Sequence, residues 1–135
     1  MSRSDILDLF DKHDILPTPQ RVEVAEILLV RPQHMSAEQI IDRLRQLGSS
    51  VSKATVYNTL NLFGERGIVK EVMADPVRKY YDSSTHPHHH FYNVDTGELS
   101  DIAERQVRFE SLPSMPNGMQ QESVEVLIRV RQAEK

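Results

Sequence analysis

The 135-residue sequence contains no cysteine. That absence removes disulfides, thiolate-held structural zinc and cysteine nucleophiles together, so any metal must be held by nitrogen and oxygen. No apolar run is long enough to span a membrane. The first stretch, MSRSDILDLF, has acids where a signal peptide needs an uninterrupted apolar core. A cytoplasmic chain with no membrane partner is expected. Internal repeats and low-complexity tracts are absent too, and the length suits one moderate domain or two small ones.

Positive charge is also missing overall. The formal net charge is −4, which looks wrong for a nucleic-acid binder until its distribution is considered. Residues 1–81 carry 11 Lys/Arg against 11 Asp/Glu, while residues 82–135 carry 5 against 9. The excess acid lies in the second part, which suggests two modules with a hinge near DSSTHP, rich in turn-forming residues.

What the chain does have is histidine in one place. Four of its six histidines fall within HPHHHF, residues 86–91. In a strand, alternate residues share a face, so His88 and His90 point together while His89 and Phe91 point away. Two imidazoles on one face make two convergent nitrogen ligands. The sequence predicts a hairpin here, HHFYNV and ELSDI joined by Asp95-Thr96-Gly97. A long final strand, ESVEVLIRVR, would carry Val124, Val126, Ile128 and Val130 on one face. Such a strand exceeds what a small sheet covers, so pairing with a second subunit is expected.

The first module reads as helices. SDILDLFDKHD is amphipathic, with Ile6, Leu7, Leu9 and Phe10 expected inward. The second helix has Thr18 as N-cap and Pro19 at its first position, with Pro32 as its stop. The third begins with a capping box of Ser36 and Gln39, carries Ile40, Ile41, Leu44 and Leu47 on one stripe, and stops at Gly48. A fourth helix starts at Ser52, with Val56, Leu60 and Phe63 facing the core. Its other side presents Ala54, Tyr57, Asn58 and Asn61, with no long acid before Glu65. Amides and a phenol suit base edges in a major groove. Lys53, Thr55 and Arg21, near helix N-termini, suit phosphates. Two strands, Ile68 to Met73 and Arg78 to Asp82, complete a winged helix. The same helix face also suits plain solvation.

HMSAEQIIDRL, SKATVYNTLNLFGERGIV and HPHHHFYNVDTGEL together resemble the ferric uptake regulator superfamily, over nearly the whole chain and in the right order. The tail, LPSMPNGMQQESVEVLIRVR, is similar to its iron response regulator branch, and part of the match is to its peroxide-sensing branch. The resemblance implies an α+β chain. An N-terminal winged-helix DNA-binding domain, residues 1–82, would precede a small α/β dimerisation and metal-sensing domain, residues 83–135. It implies a homodimeric, metal-dependent repressor of iron or haem homeostasis that binds an AT-rich inverted repeat in double-stranded DNA. Peroxide sensing, or metal storage without DNA contact, are the alternatives.

The family's regulatory metal site falls on His34, Asp82, His88, His90 and Asp101. Such a nitrogen and oxygen set suits Fe²⁺, Mn²⁺ or Zn²⁺. The fifth position is aspartate, as in peroxide sensors of the family, where iron sensors tend to carry glutamate. His86 and His89 remain for a second metal site or for haem, although no histidine follows His90. The family's four-cysteine zinc site and its cysteine-proline haem motif are absent. SLPSMPNG stands where the family has a helix between strand regions, and its prolines leave room for no more than a turn. An enzyme is not expected. A metallohydrolase also uses H-x-H, but neither HxHxD nor HExxH occurs.

Overall fold

A computed structural model describes residues 1–134. The chain forms two compact units, Met1–Thr85 and the remainder from His86. The architecture is α+β: a winged helix, then a small sheet. Among the described residues, no helix is long and apolar enough to cross a membrane.

The first unit runs α1 (Arg3–Lys12), α2 (Pro19–Leu28), β1 (His34–Ser36), α3 (Ala37–Gln46), α4 (Lys53–Glu65), β2 (Lys70–Met73) and β3 (Lys79–Asp82). Its helices start where side chains satisfy the first free N–H groups. Thr18 caps α2 ahead of Pro19, Ser36 and Gln39 form a reciprocal capping box on α3, and Ser52 accepts from the Thr55 N–H of α4. Ile6, Phe10, Leu28, Ile40, Val56, Leu60 and Phe63 are completely buried in one cluster. The Phe10 and Phe63 rings meet at 5.5 Å and a tilt of 50°, a favourable aromatic geometry.

Four details differ from the sequence expectation. Leu7 is 40% exposed, so α1 buries Ile6 and Phe10 with Leu9 only partly covered. Pro32 does not stop α2, which closes at Leu28. There the Gln33 side-chain amide donates to the Ile27 and Leu28 carbonyls and satisfies the helix end. The α3 stripe stops at Leu44, and Leu47, at the cap, is 63% exposed. Residues 34–36 form an additional strand. It pairs antiparallel with β3, so the wing is a three-stranded sheet in the order β1-β3-β2.

The second unit contains β4 (His88–Asn93), β5 (Leu99–Ala103), a 3-10 turn (Glu104–Gln106) and β6 (Leu127–Val130). The strand order is β5-β4-β6, antiparallel on one side of β4 and parallel on the other. The Asn93 side chain accepts from the Asp95 and Thr96 N–H groups, and Gly97 takes φ +75°. That positive φ suits glycine and closes the hairpin. The last strand is shorter than its alternating sequence predicts. At Val126 the carbonyl still accepts the His90 N–H at 3.1 Å, while the N–H turns to the His89 imidazole at 2.9 Å, and the strand starts at Leu127. Residues 107–126 form no helix or strand, consistent with Pro113 and Pro116.

Candidate metal centre and nucleic-acid interface

Candidate metal ligands occur in each unit. In the first, His34 on β1 and Asp82 on β3 are direct register partners, so their side chains share one face of the wing. Asp82 is 1% exposed. Its Oδ1 accepts the Ser84 N–H at 2.8 Å. Ser83 clamps the two strand ends together. Its hydroxyl accepts the Gln33 N–H, and its one proton is shared between the carbonyls of Arg31 at 3.0 Å and Gln33 at 3.1 Å. The Ser83 N–H donates to the Gln33 carbonyl as well.

In the second unit, His90 on β4 lies opposite Asp101 on β5, and His88 sits two residues away on the same face. The His88 and His90 rings are 4.5 Å apart. Both Nε2 atoms lie 3.4 Å from Asp101 Oδ1. His88 Nδ1 is 2.7 Å from the His86 carbonyl. A carbonyl only accepts, so Nδ1 carries the proton, and a neutral His88 offers its Nε2 lone pair toward Asp101. Two imidazole nitrogens and a carboxylate oxygen thus converge on one face of the sheet. A proton or a divalent cation stabilises that arrangement. Ligand atoms about 2.1 Å from a common metal lie roughly 3.0–3.4 Å apart in octahedral or tetrahedral geometry. The donors fit such an ion.

His86 and His89 lie differently. His86 is exposed, its ring 5.0 Å from that of His88. His89 faces the other side of β4 and is buried. It accepts the Val126 N–H and meets the Phe109 ring edge-on at 6.3 Å. It acts as a pin for the final strand.

On α4, Lys53, Ala54, Tyr57, Asn58 and Asn61 are exposed and Thr55 is half-buried. Val56, Thr59, Leu60 and Phe63 face inward. The Ser52 hydroxyl donates to Thr55 Oγ1 at 2.9 Å. Arg21 is half-buried, and its Nη1 donates to the Leu16 carbonyl at 2.6 Å, which ties part of the guanidinium to the loop before α2. Sequence reasoning missed Glu38. This exposed residue of α3 accepts the Tyr57 hydroxyl, so the face does carry a long acid, supplied by a neighbouring helix. The hydrogen bond from Tyr57, with help from Lys53, holds the Glu38 carboxyl below its ordinary pKa. The same bond pushes Tyr57 above its ordinary value. A periodicity count within α4 carries no signal of a residue on α3.

A family model described as "Ferric uptake regulator family" matches residues 12–128. Among curated proteins, the chain is 34% identical over 85 residues to the peroxide-responsive repressor PerR of Staphylococcus saprophyticus, and 33% identical to that of Staphylococcus epidermidis. Each match covers 63% of this chain and 57% of the relative. The matched segment thus spans less than two thirds of those relatives. Among solved structures, the ferric uptake regulator of Pseudomonas aeruginosa with manganese is similar at a TM-score of 0.70 and 24% identity, covering 94% of this chain and 97% of that one. The ferric uptake regulator of Vibrio cholerae gives a TM-score of 0.73 at 24% identity, covering 93% and 98%. These likenesses show the fold.

Proposed function

This chain belongs to the ferric uptake regulator family, and from that premise we propose that it is a divalent-metal-dependent, DNA-binding transcriptional repressor acting as a homodimer. The convergence of His88, His90 and Asp101 carries the reading. His34 and Asp82 complete the proposed ligand set from the winged helix. A bound cation would supply positive charge to both groups of donors at once and so fix the angle between the two units. Asp101 and Asp82 supply the carboxylate oxygens, and His34, His88 and His90 the imidazole nitrogens. That set suits Fe²⁺, Mn²⁺ or Zn²⁺.

The α4 face meets double-stranded DNA in this reading. Asn58 and Asn61 offer amides to base edges, and Lys53 and Arg21 offer charge to phosphates. Dimerisation is supported by the apolar side chains on one face of the second sheet, where Phe91 is 39%, Ile128 40% and Val130 36% exposed. The iron or haem assignment rests on the similarity of the tail to the iron response regulator branch. Metal fits better than haem, because His89 is already committed to Val126. The experiment is retention of a promoter fragment carrying an AT-rich inverted repeat, with and without Mn²⁺. Metal-dependent retention is expected, and a storage or partner-binding module would show none.

Peroxide sensing is the second reading, favoured by the aspartate at Asp101 and by the PerR relatives. No cysteine is present to be oxidised, so the oxidised groups would be ligand imidazoles, His34 or His88. Loss of DNA binding under peroxide in the Fe²⁺ form but not the Mn²⁺ form, with one added oxygen on either histidine by mass spectrometry, tests it.

A further inference from the structure

Tyr57 stands on the exposed face of α4, and its hydroxyl proton is directed to the Glu38 carboxylate on α3. We propose that Glu38 makes Tyr57 an acceptor toward DNA, so that Tyr57 reads an exocyclic amino group, adenine N6 or cytosine N4, rather than a phosphate. The inference rests on the DNA-binding reading above and gives Glu38 a positioning role toward Tyr57.

A phenol has one proton to give and lone pairs to receive with. A hydrogen bond to an ionised acceptor is roughly twice as strong as one between neutral groups, so the Tyr57 proton stays directed at Glu38. The remaining lone pairs can only accept. Phosphate oxygens, guanine O6 and N7, thymine O4 and adenine N7 are all acceptors, and each is refused by such a hydroxyl. In the major groove the donors are adenine N6–H₂ and cytosine N4–H₂. The Glu38 charge also repels phosphate, which directs the pair away from the backbone. Lys53 lies one helical turn before Tyr57 on the same face, and its charge acts on Glu38. The cluster therefore adds no net charge at the point of reading.

The experiment is selection from random DNA duplexes by the full-length, Mn²⁺-loaded protein, run on the wild type, Tyr57→Phe, Glu38→Ala and Glu38→Gln. The wild type is expected to select adenine or cytosine at one position per half-site, and Tyr57→Phe to lose preference there alone. Glu38→Ala frees the hydroxyl proton and should admit thymine or guanine at that position. Glu38→Gln, whose amide oxygen still accepts, should restore the preference. Replacing the selected base by an analogue without its amino group should weaken wild-type binding about five- to tenfold and leave Tyr57→Phe unaffected. An unchanged selection profile in Glu38→Ala, with its thermal unfolding intact, overturns this inference and leaves the repressor reading standing. Failure of the wild type to enrich any sequence overturns the DNA-binding reading and this inference with it.

Discussion

The two units bury different things. The winged helix has a closed hydrocarbon core, with Ile6, Phe10, Leu28, Ile40, Leu60 and Phe63 fully covered. In the second unit the buried apolar residues among those described are Tyr92, Leu99 and Ile102, beside three buried histidines at 88, 89 and 90. Three imidazoles are a costly interior unless each is hydrogen-bonded or holds a ligand. His89 has the Val126 N–H, and His88 and His90 face Asp101. The same unit leaves Phe91, Ile128 and Val130 partly open on one face. The contrast teaches that hydrocarbon packing holds the first unit, while the second leans on the polar contacts of its buried imidazoles.

The most damaging change to this contrast is His88→Ala with His90→Ala. Metal affinity should fall by more than the roughly 10–100-fold that outer-sphere substitutions cost, and metal-dependent DNA retention should vanish while the helical signal of the first unit remains. Equilibrium dialysis with Mn²⁺ and circular dichroism read the two halves. A variant that regulates normally would dissolve the distinction between the units.

Next comes Phe63→Ala, aimed at the core. It removes a fully buried ring packed on Phe10 and should cost about 3–5 kcal/mol in denaturant unfolding of the first unit. A loss below about 1 kcal/mol would mean that the core is looser than its burial implies.

A smaller effect is expected at high pH. Burial first, then the charges of Glu71, Tyr57 and Glu38, push the Tyr81 phenol up to about 12. A raised folded-state pKa contributes stability that is complete below the unfolded value near 10 and is lost as pH rises toward about 12. The loss across that window is about 2–3 kcal/mol. Tyr81→Phe should flatten it. Equal alkaline melting of variant and wild type would place the titration elsewhere.

The smallest is Ser36→Ala, which removes the α3 cap and should cost about 1 kcal/mol. An unchanged melting temperature would count against the capping box as a stabilising feature.

Much of this was legible in the sequence because local chemistry decides it. Thr18-Pro19, Ser36 with Gln39, and the Asp95-Thr96-Gly97 turn all act within a few residues, and the structure has them all. The inward set of α4, Val56, Leu60 and Phe63, follows from helical spacing. What escaped depends on distant partners. Strand β1 is three residues long and exists through its pairing with β3. Leu7 had the right residue type, but only packing could show that it faces outward. The late start of the last strand, at Leu127, goes with a side-chain acceptor, the His89 imidazole, taking the Val126 N–H. Glu38 joins the α4 face through a helix–helix contact that periodicity cannot express. For the candidate metal centre, alternation alone paired His88 with His90, while Asp101 and Asp82 came from family resemblance.

We propose that one metal ion takes ligands from both units. Equilibrium dialysis of Mn²⁺ against the wild type, His34→Ala and His88→Ala tests it most directly. The expected result is a single strong site in the wild type, weakened at least about tenfold by either substitution. Wild-type Mn²⁺ affinity in His34→Ala, with His88→Ala impaired, would contradict the account, because the winged helix would then contribute no ligand.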